Sequence, residues 1–242
     1  MLAYDETLRG ARLVFTDRIG GVSAPPYGEM NLALHTGDEW DRVHANRDLL
    51  GRSLGLSYRE LVFGQQVHGC GVRVVTAPSA RGRDRGLPQT DGLVTSTPGV
   101  AIVMMGADCL PVLLAADGVI GAAHVGRPGL ALGVLTEVLA VMRAQGAADI
   151  AARIGPGICG GCYEVPAAMA DEVERAAPGS RATTRSHRPS VDLVAGVLRQ
   201  LVDAGVEDVA VVGGCTLEQP ERLFSYRRDG VTGRHAGVAV LP

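Results

Sequence analysis

The chain of 242 residues contains no lysine: all 23 of its basic residues are arginine. This bias is read as the codon usage of a GC-rich genome, and it excludes any chemistry that runs through a lysine Schiff base. The formal net charge of -3 provides no basic face for nucleic acid. Met1 to Gly10 carries Asp5 and Glu6 and no long apolar segment, so no secretory signal is expected. The apolar stretch after Gly99 is interrupted by Asp108, Pro111 and Asp117 and cannot form a membrane span. Five cysteines, an odd number, predict reduced thiols and a cytoplasmic location. His-x-Glu is missing, which excludes the zinc deaminases of free bases. With no internal repeat, linker or low-complexity segment, residues 1–242 are expected to form a single domain.

What is present centres on Gly99 to Met142. Short apolar runs broken by turn residues predict buried strands near Val100–Met105, Val112–Ala115 and Val119–Ala123. Asp117-Gly118 is a hairpin signal between the last two. A two-residue turn there sets Ala116 opposite Val119 and, counting back, Cys109 opposite Gly126. His124 then becomes a diagonal neighbour of Cys109 on the same face, within reach of a shared metal ion. Apolar residues at Ala131, Val134, Leu135, Val138 and Met142 predict a helix that starts just after Gly129, with an anion-favouring first turn near His124.

Elsewhere, strands are expected at Arg12–Thr16, Leu61–Val67, Leu93–Thr95, Ile150–Ile154, Val209–Val212 and Gly237–Leu241. Helices are expected from an Asp38 cap to Leu54, over Pro166–Ala177, and after a Ser190 cap through Leu201. Arg81–Arg85 reads as an exposed loop, Phe224–Arg228 as a polar turn, and Ser180–Ser190 as the least ordered segment by composition. Arg18 beside Gly20-Gly21 reads first as a surface loop, though such an Arg can bind an anion, and His44 and Arg47 read as surface or packing residues.

Two motifs are misleading. Gly155-Pro-Gly-Ile-Cys-Gly160 matches a dinucleotide fingerprint, but the acidic strand end needed about twenty residues later falls in or just after a helix. Cys159-Gly-Gly-Cys162 could be a redox pair or half a zinc site, and no second C-x-x-C completes it.

A series of segments, Thr16–Ser23, Asn31-Leu32, Asn46-Arg47, Gln66-Val-His-Gly69, Thr90-Asp-Gly92, Ala107-Asp-Cys-Leu-Pro111, Gly155-Pro156, Cys162-Tyr-Glu-Val165, Cys215-Thr216, Phe224–Asp229 and Thr232-Gly-Arg234, resembles in order the YfiH-like family, also called multicopper polyphenol oxidases or laccase-domain proteins. The resemblance implies an α+β fold, two packed mixed β-sheets forming a sandwich flanked by helices. It also implies a mononuclear zinc site on His68, Cys109 and His124, with water in the fourth place, and so supplies His68 beside the two residues that the hairpin register reaches. Copper is disfavoured, because one Cys/His2 set lacks the histidines of a multicopper cluster.

The family is associated with phosphorolysis of adenosine, inosine and methylthioadenosine and with adenosine deamination, and some bacterial members with editing of peptidoglycan precursors. The expected partners are thus purine nucleosides and phosphate, with the chain acting as a monomer and no role for nucleic acid or membrane. Candidate catalytic residues are His68, Cys109, His124 and Asp108; candidate substrate contacts are Arg18, Arg47, Gln66 and Arg127. One departure stands out: Val125-Gly-Arg-Pro-Gly129 follows His124 where the family usually has Ala-Gly-Trp-Arg-Gly, so a tryptophan is lost and the arginine shifted. Two other readings remain. Cys109 could be the nucleophile of an amidase, or the three ligands could hold a structural metal in a binding protein, with Cys70 as the nearest fourth ligand.

Overall fold

A computed structural model describes residues 1–78 and 86–242. The expected Arg81–Arg85 loop lies outside the described residues. The strands are β1 (Leu2–Leu8), β2 (Ala11–Thr16), β3 (Leu61–Phe63), β4 (Val72–Val74), β5 (Gly92–Thr95), β6 (Ala101–Gly106), β7 (Leu110–Ala116), β8 (Val119–Val125), β9 (Ala151–Ile154), β10 (Arg181–Thr183), β11 (Pro189–Val191), β12 (Asp208–Val211) and β13 (His235–Val240). The helices are α1 (Trp40–Ser53), α2 (Arg127–Leu132), α3 (Val134–Ala144), α4 (Ala167–Ala176), α5 (Leu193–Asp203) and α6 (Tyr226–Asp229).

The strands build two mixed sheets, one ordered β1-β2-β13-β6-β3 and the other β12-β9-β7-β8-β5-β4. Strand β7 shows why its sequence is apolar at every position. Leu113 and Ala115 pack with Leu13, Phe15, Ile102 and Met104 of the opposite sheet, whereas Val112, Leu114 and Ala116 pack with Val138, Met142 and Val197 of the helical layer. A strand buried on both faces reads as a continuous hydrophobic run. The outer face of the first sheet is covered in the same way, where Val103, Met105 and Val238 meet Leu50 and Leu54 at the end of α1. The result is the α+β sandwich flanked by helices.

Several local expectations are revised. The helix after β8 begins at Arg127, three residues earlier than expected, and Gly133 in the left-handed region (φ 76°) divides it into α2 and α3. Asp38 does not cap α1: its carboxylate accepts from Ser23 and Asn31, and Glu39 occupies the cap position. Ser190 is buried in β11, and Asp192 caps α5 by accepting from the Ala195 amide at 3.0 Å. Ser180–Ser190, polar in composition, is ordered by the antiparallel β10-β11 pair, which Val191 of β11 anchors in the hydrophobic core. The Leu61–Val67 strand ends at Phe63, the Phe224–Arg228 turn closes into α6, and strands β1 and β4, partly exposed at sheet edges, carry too weak an apolar pattern to be read from sequence. Among the described residues, no helix is long and apolar enough to cross a membrane.

His235, which opens β13, is fully buried and stacks on Phe224 with 6.4 Å between ring centroids. Burial pushes its imidazole down to about 4. The unfolded chain, with an ordinary histidine near 6.5, therefore takes up a proton that the folded chain refuses, and stability falls as pH drops from about 6.5 to about 4. The loss expected across that window is about 3 kcal/mol, and His235→Leu should remove this part of the pH slope. Urea unfolding midpoints of both proteins over this range test it; equal slopes would contradict it.

Candidate metal centre

The hairpin register is the one that a two-residue Asp117-Gly118 turn requires: Ala116 pairs with Val119 and Leu110 with Val125. One step beyond, Cys109 lies opposite Gly126. His124 shares the parity of Ile120 and Ala122, so it emerges on the side facing the other sheet. His68 arrives from the loop after β3, in the left-handed backbone region (φ 62°). Its Nε2 lies 3.6 Å from Cys109 Sγ, and its ring meets that of His124 edge to face with centroids 4.8 Å apart. A ligand atom from each of the three residues lies within 4.8 Å of the others.

Asp91, at the entry to β5, organises this arrangement although the sequence reading assigned it no role. It is fully buried and accepts from the backbone amides of Val67, His68 and Gly69 at 3.2, 2.9 and 2.9 Å, so the loop that carries His68 folds around its carboxylate. It also receives His124 Nδ1 at 2.8 Å, which leaves His124 Nε2 as the ligand atom. Burial alone would raise the Asp91 pKa, but the hydrogen bonds from His124 and the loop amides outweigh it and hold the carboxyl below its usual range. In the same way, the facing imidazoles hold Cys109 below an ordinary thiol against the opposing effect of burial. A carboxylate behind a ligating histidine is the arrangement that fixes tautomer and ring direction at metal sites. One thiolate and two imidazoles suit a borderline-soft transition metal and not magnesium or calcium, so the donor set fits a zinc-type ion.

Gly126 is part of the same design. A Cβ there would lie 2.8 Å from Cys109 Sγ and 2.8 Å from His68 Cδ2. Gly126→Ala is therefore expected to push two ligands apart and weaken metal retention at least about tenfold, a loss comparable to that of an outer-shell partner, while the fold persists. Metal analysis after dialysis against a weak chelator measures this, and unchanged retention would count against the site.

The three residues line a cavity of about 490 Å³, together with Tyr163, Tyr226, Arg227 and Arg234. Asp108 also lines it, but its carboxylate accepts from Thr216 Oγ1 at 2.6 Å, Ser225 Oγ at 2.7 Å and the Arg227 amide at 2.6 Å. Occupied in this way, it ties the Thr216 loop and the start of α6 to the cavity wall.

The expected substrate contacts are mostly elsewhere. Arg47 is buried, with its guanidinium 3.7 Å above the Phe63 ring and Nε donating to the Leu32 carbonyl. Arg18 spends its donors on the carbonyls of Gly28 and Pro220. Gln66 reaches the cavity, but its amide pairs with both backbone groups of Met105. Arg127 is the first residue of the short α2; it is not among the residues lining the cavity, but its side chain hydrogen-bonds to Tyr163, which is. The cations at the wall are Arg227 and Arg234, whose signal was the Phe224–Asp229 and Thr232–Arg234 pair of segments.

The family model described as multi-copper polyphenol oxidoreductase laccase matches residues 12–242. The chain belongs to this YfiH-like, laccase-domain family. Relatives include a purine nucleoside phosphorylase of Streptomyces coelicolor, 47% identical with both chains fully covered, and one of Mycobacterium tuberculosis, 49% identical over 94% of this chain and 90% of the relative. Escherichia coli YfiH, also named a purine nucleoside phosphorylase, is 34% identical over 96% of this chain and 95% of its own. Among solved structures, YlmD from Geobacillus stearothermophilus superimposes with a TM-score of 0.89 at 31% identity, covering 96% of this chain and 92% of that one. The laccase-domain fold thus brings a Cys/His2 donor set, two tyrosines and two arginines into one cavity.

Proposed function

We propose that this laccase-domain protein is a metal-dependent purine nucleoside phosphorylase of the cytoplasm, acting as a monomer, with adenosine deamination as a second activity at the same site. The observation that carries the reading is the make-up of one cavity wall: a Cys/His2 donor set, aromatic faces and two guanidinium groups around a volume of about 490 Å³. That volume lies in the range of small-ligand sites. The names of the relatives support the same substrate class.

His68, Cys109 and His124 would hold zinc, which when bound supplies Lewis-acid chemistry and an activated water. The other residues bind and orient. Arg227 and Arg234 offer charge-assisted hydrogen bonds to phosphate, the nucleophile toward the ribose anomeric carbon. Arg227 also lies 4.9 Å from the Tyr163 ring centroid, so phosphate and base sites would adjoin. Tyr163 and Tyr226 present aromatic faces to a purine, so loss of the usual tryptophan after His124 does not leave the cavity without one. In phosphorolysis the C–N glycosidic bond breaks, the phosphate oxygen bonds to the sugar, and the purine leaves with a proton.

The test is chromatography of adenosine and inosine incubated with zinc-loaded protein, with and without phosphate. Phosphate-dependent release of adenine or hypoxanthine is expected, and inosine from adenosine without phosphate. Arg234→Ala should raise the phosphate KM with little effect on deamination, which needs only water. If no product exceeds a His68→Ala control, the nucleoside assignment fails.

The 3.6 Å approach of Cys109 Sγ to His68 Nε2 also has the form of a thiol-imidazole dyad, which favours an amidase acting on peptidoglycan precursors as the second reading. The two demand opposite states of the thiol. Zinc-loaded protein should resist iodoacetamide at Cys109 under the first reading and be alkylated rapidly under the second.

A further inference from the structure

The C-x-x-C motif that lacked a partner in the sequence finds one in the fold. Cys159 and Cys162 frame a turn over Gly160-Gly161, closed by the Cys162 amide donating to the Cys159 carbonyl at 2.9 Å. Cys215 and Glu218 frame a second turn of the same form, closed by the Glu218 amide donating to the Cys215 carbonyl at 3.1 Å. A parallel bridge between Gly157 and Cys215, with the Thr216 amide donating to the Gly157 carbonyl at 3.1 Å, holds the turns face to face. A ligand atom from each of Cys159, Cys162, Cys215 and Glu218 then lies within 4.8 Å of the other three. The Cys159 amide also points at Cys215 Sγ, 3.5 Å away. All three cysteines are free and only half-buried, so an ion could enter.

We propose that Cys159, Cys162, Cys215 and Glu218 form a second metal site, separate from His68, Cys109 and His124, which takes a structural zinc ion. Three thiolates and a carboxylate are a closed set of four ligands, the structural type, in contrast to the open set of three in the cavity. Tetrahedral zinc with bonds of about 2.3 Å needs sulfurs about 3.8 Å apart, a small contraction from the observed spread. Sulfur donors exclude magnesium and calcium. Binding releases the thiol protons to solvent and moves no electrons. Arg185, which donates to Cys162 Sγ at 3.0 Å and pairs with Glu218, is the competing cation, and the ion would displace it.

The location explains what such an ion would do. Tyr163 follows Cys162 directly and lines the cavity, and Thr216 follows Cys215 and holds Asp108. A metal clamp on these turns would stiffen the cavity wall without touching substrate.

The test begins from a His68→Ala/Cys109→Ala protein, in which the first site is destroyed. After zinc loading under reducing conditions and desalting, it should retain one zinc per chain, and adding Cys159→Ser and Cys215→Ser should reduce this to none with the circular dichroism spectrum unchanged. Cobalt in the same background should give intense sulfur-to-metal charge transfer and tetrahedral ligand-field bands. If the background protein does not fold, wild type with two zinc ions and a Cys159→Ser/Cys215→Ser protein with one carry the same information. Thiol titration of native wild type should find Cys70 alone until a chelator is added. No zinc in the folded background protein, a Cys159–Cys162 disulfide in reduced preparations, or unchanged stoichiometry on removing Cys159 and Cys215 would overturn the proposal.

Discussion

A His68→Ala protein is expected to lose metal binding at the candidate cavity site and, with it, the proposed nucleoside activities, while remaining folded. His68 is exposed and contributes no core packing; what holds its loop is the backbone contact to Asp91, which the substitution leaves in place. His68 already bears the cost of the left-handed backbone (φ 62°), so alanine at this position should change the unfolding midpoint little. The functional effect is far larger. With one of three ligands gone, Cys109 and His124 cannot retain a zinc-type ion against a chelator. The lost Lewis-acid contribution, several kcal/mol, corresponds to a rate loss of about a thousandfold or more. Metal analysis, unfolding midpoint and kcat/KM on one preparation separate these effects. Full metal content, or activity within about tenfold of wild type, would remove His68 from the site.

The second large effect is expected at Asp91, where stability and metal binding fall together. Its carboxylate satisfies three backbone amides and the His124 ring in a fully buried position. Asp91→Ala leaves all of these donors without an acceptor, and stranding buried polar groups on this scale costs about 3 to 5 kcal/mol. Asp91→Asn keeps the shape but turns half of the acceptor into a donor, so it should retain more stability and still lose the charge that holds the His124 tautomer. For both, metal affinity should weaken about 10- to 100-fold, the usual consequence of removing a carboxylate behind a ligating histidine. Chelator competition and urea unfolding measure the two quantities, and wild-type values in either variant would show that Asp91 does not organise the centre.

A cavity ligand set of one thiolate and two imidazoles also bears on the family's laccase description. Among the described residues, the possible metal-ligating groups are the Cys/His2 set and the Cys3Glu set, and neither provides the many histidines of a multicopper cluster.

What the sequence determined by itself was whatever follows from local periodicity. The Asp117-Gly118 turn and the alternation along β7 and β8 set the hairpin register, and that register aligns Cys109 and His124, because side chains in a strand repeat every two residues and a one-residue slip would separate them. The C-x-x-C turn was equally legible, as was the two-faced burial implied by unbroken apolar strands. Family likeness, not periodicity, supplied His68. Tertiary structure decided the rest, since it depends on contacts between distant segments. Arg47 could be read from sequence as a packing residue or, by family likeness, as a substrate contact, and only the fold sets its guanidinium over the Phe63 ring. Gln66 lost its amide to Met105; Arg227 reached the cavity where Asp108 holds the start of α6, and Arg234 where its amide donates to Asn31. Asp91 is the clearest case: an acidic residue at the start of a strand has no distinctive pattern, and its importance comes from the loop amides and the histidine that converge on it in three dimensions. Long polar side chains can satisfy themselves in many directions, and only the packed chain selects one.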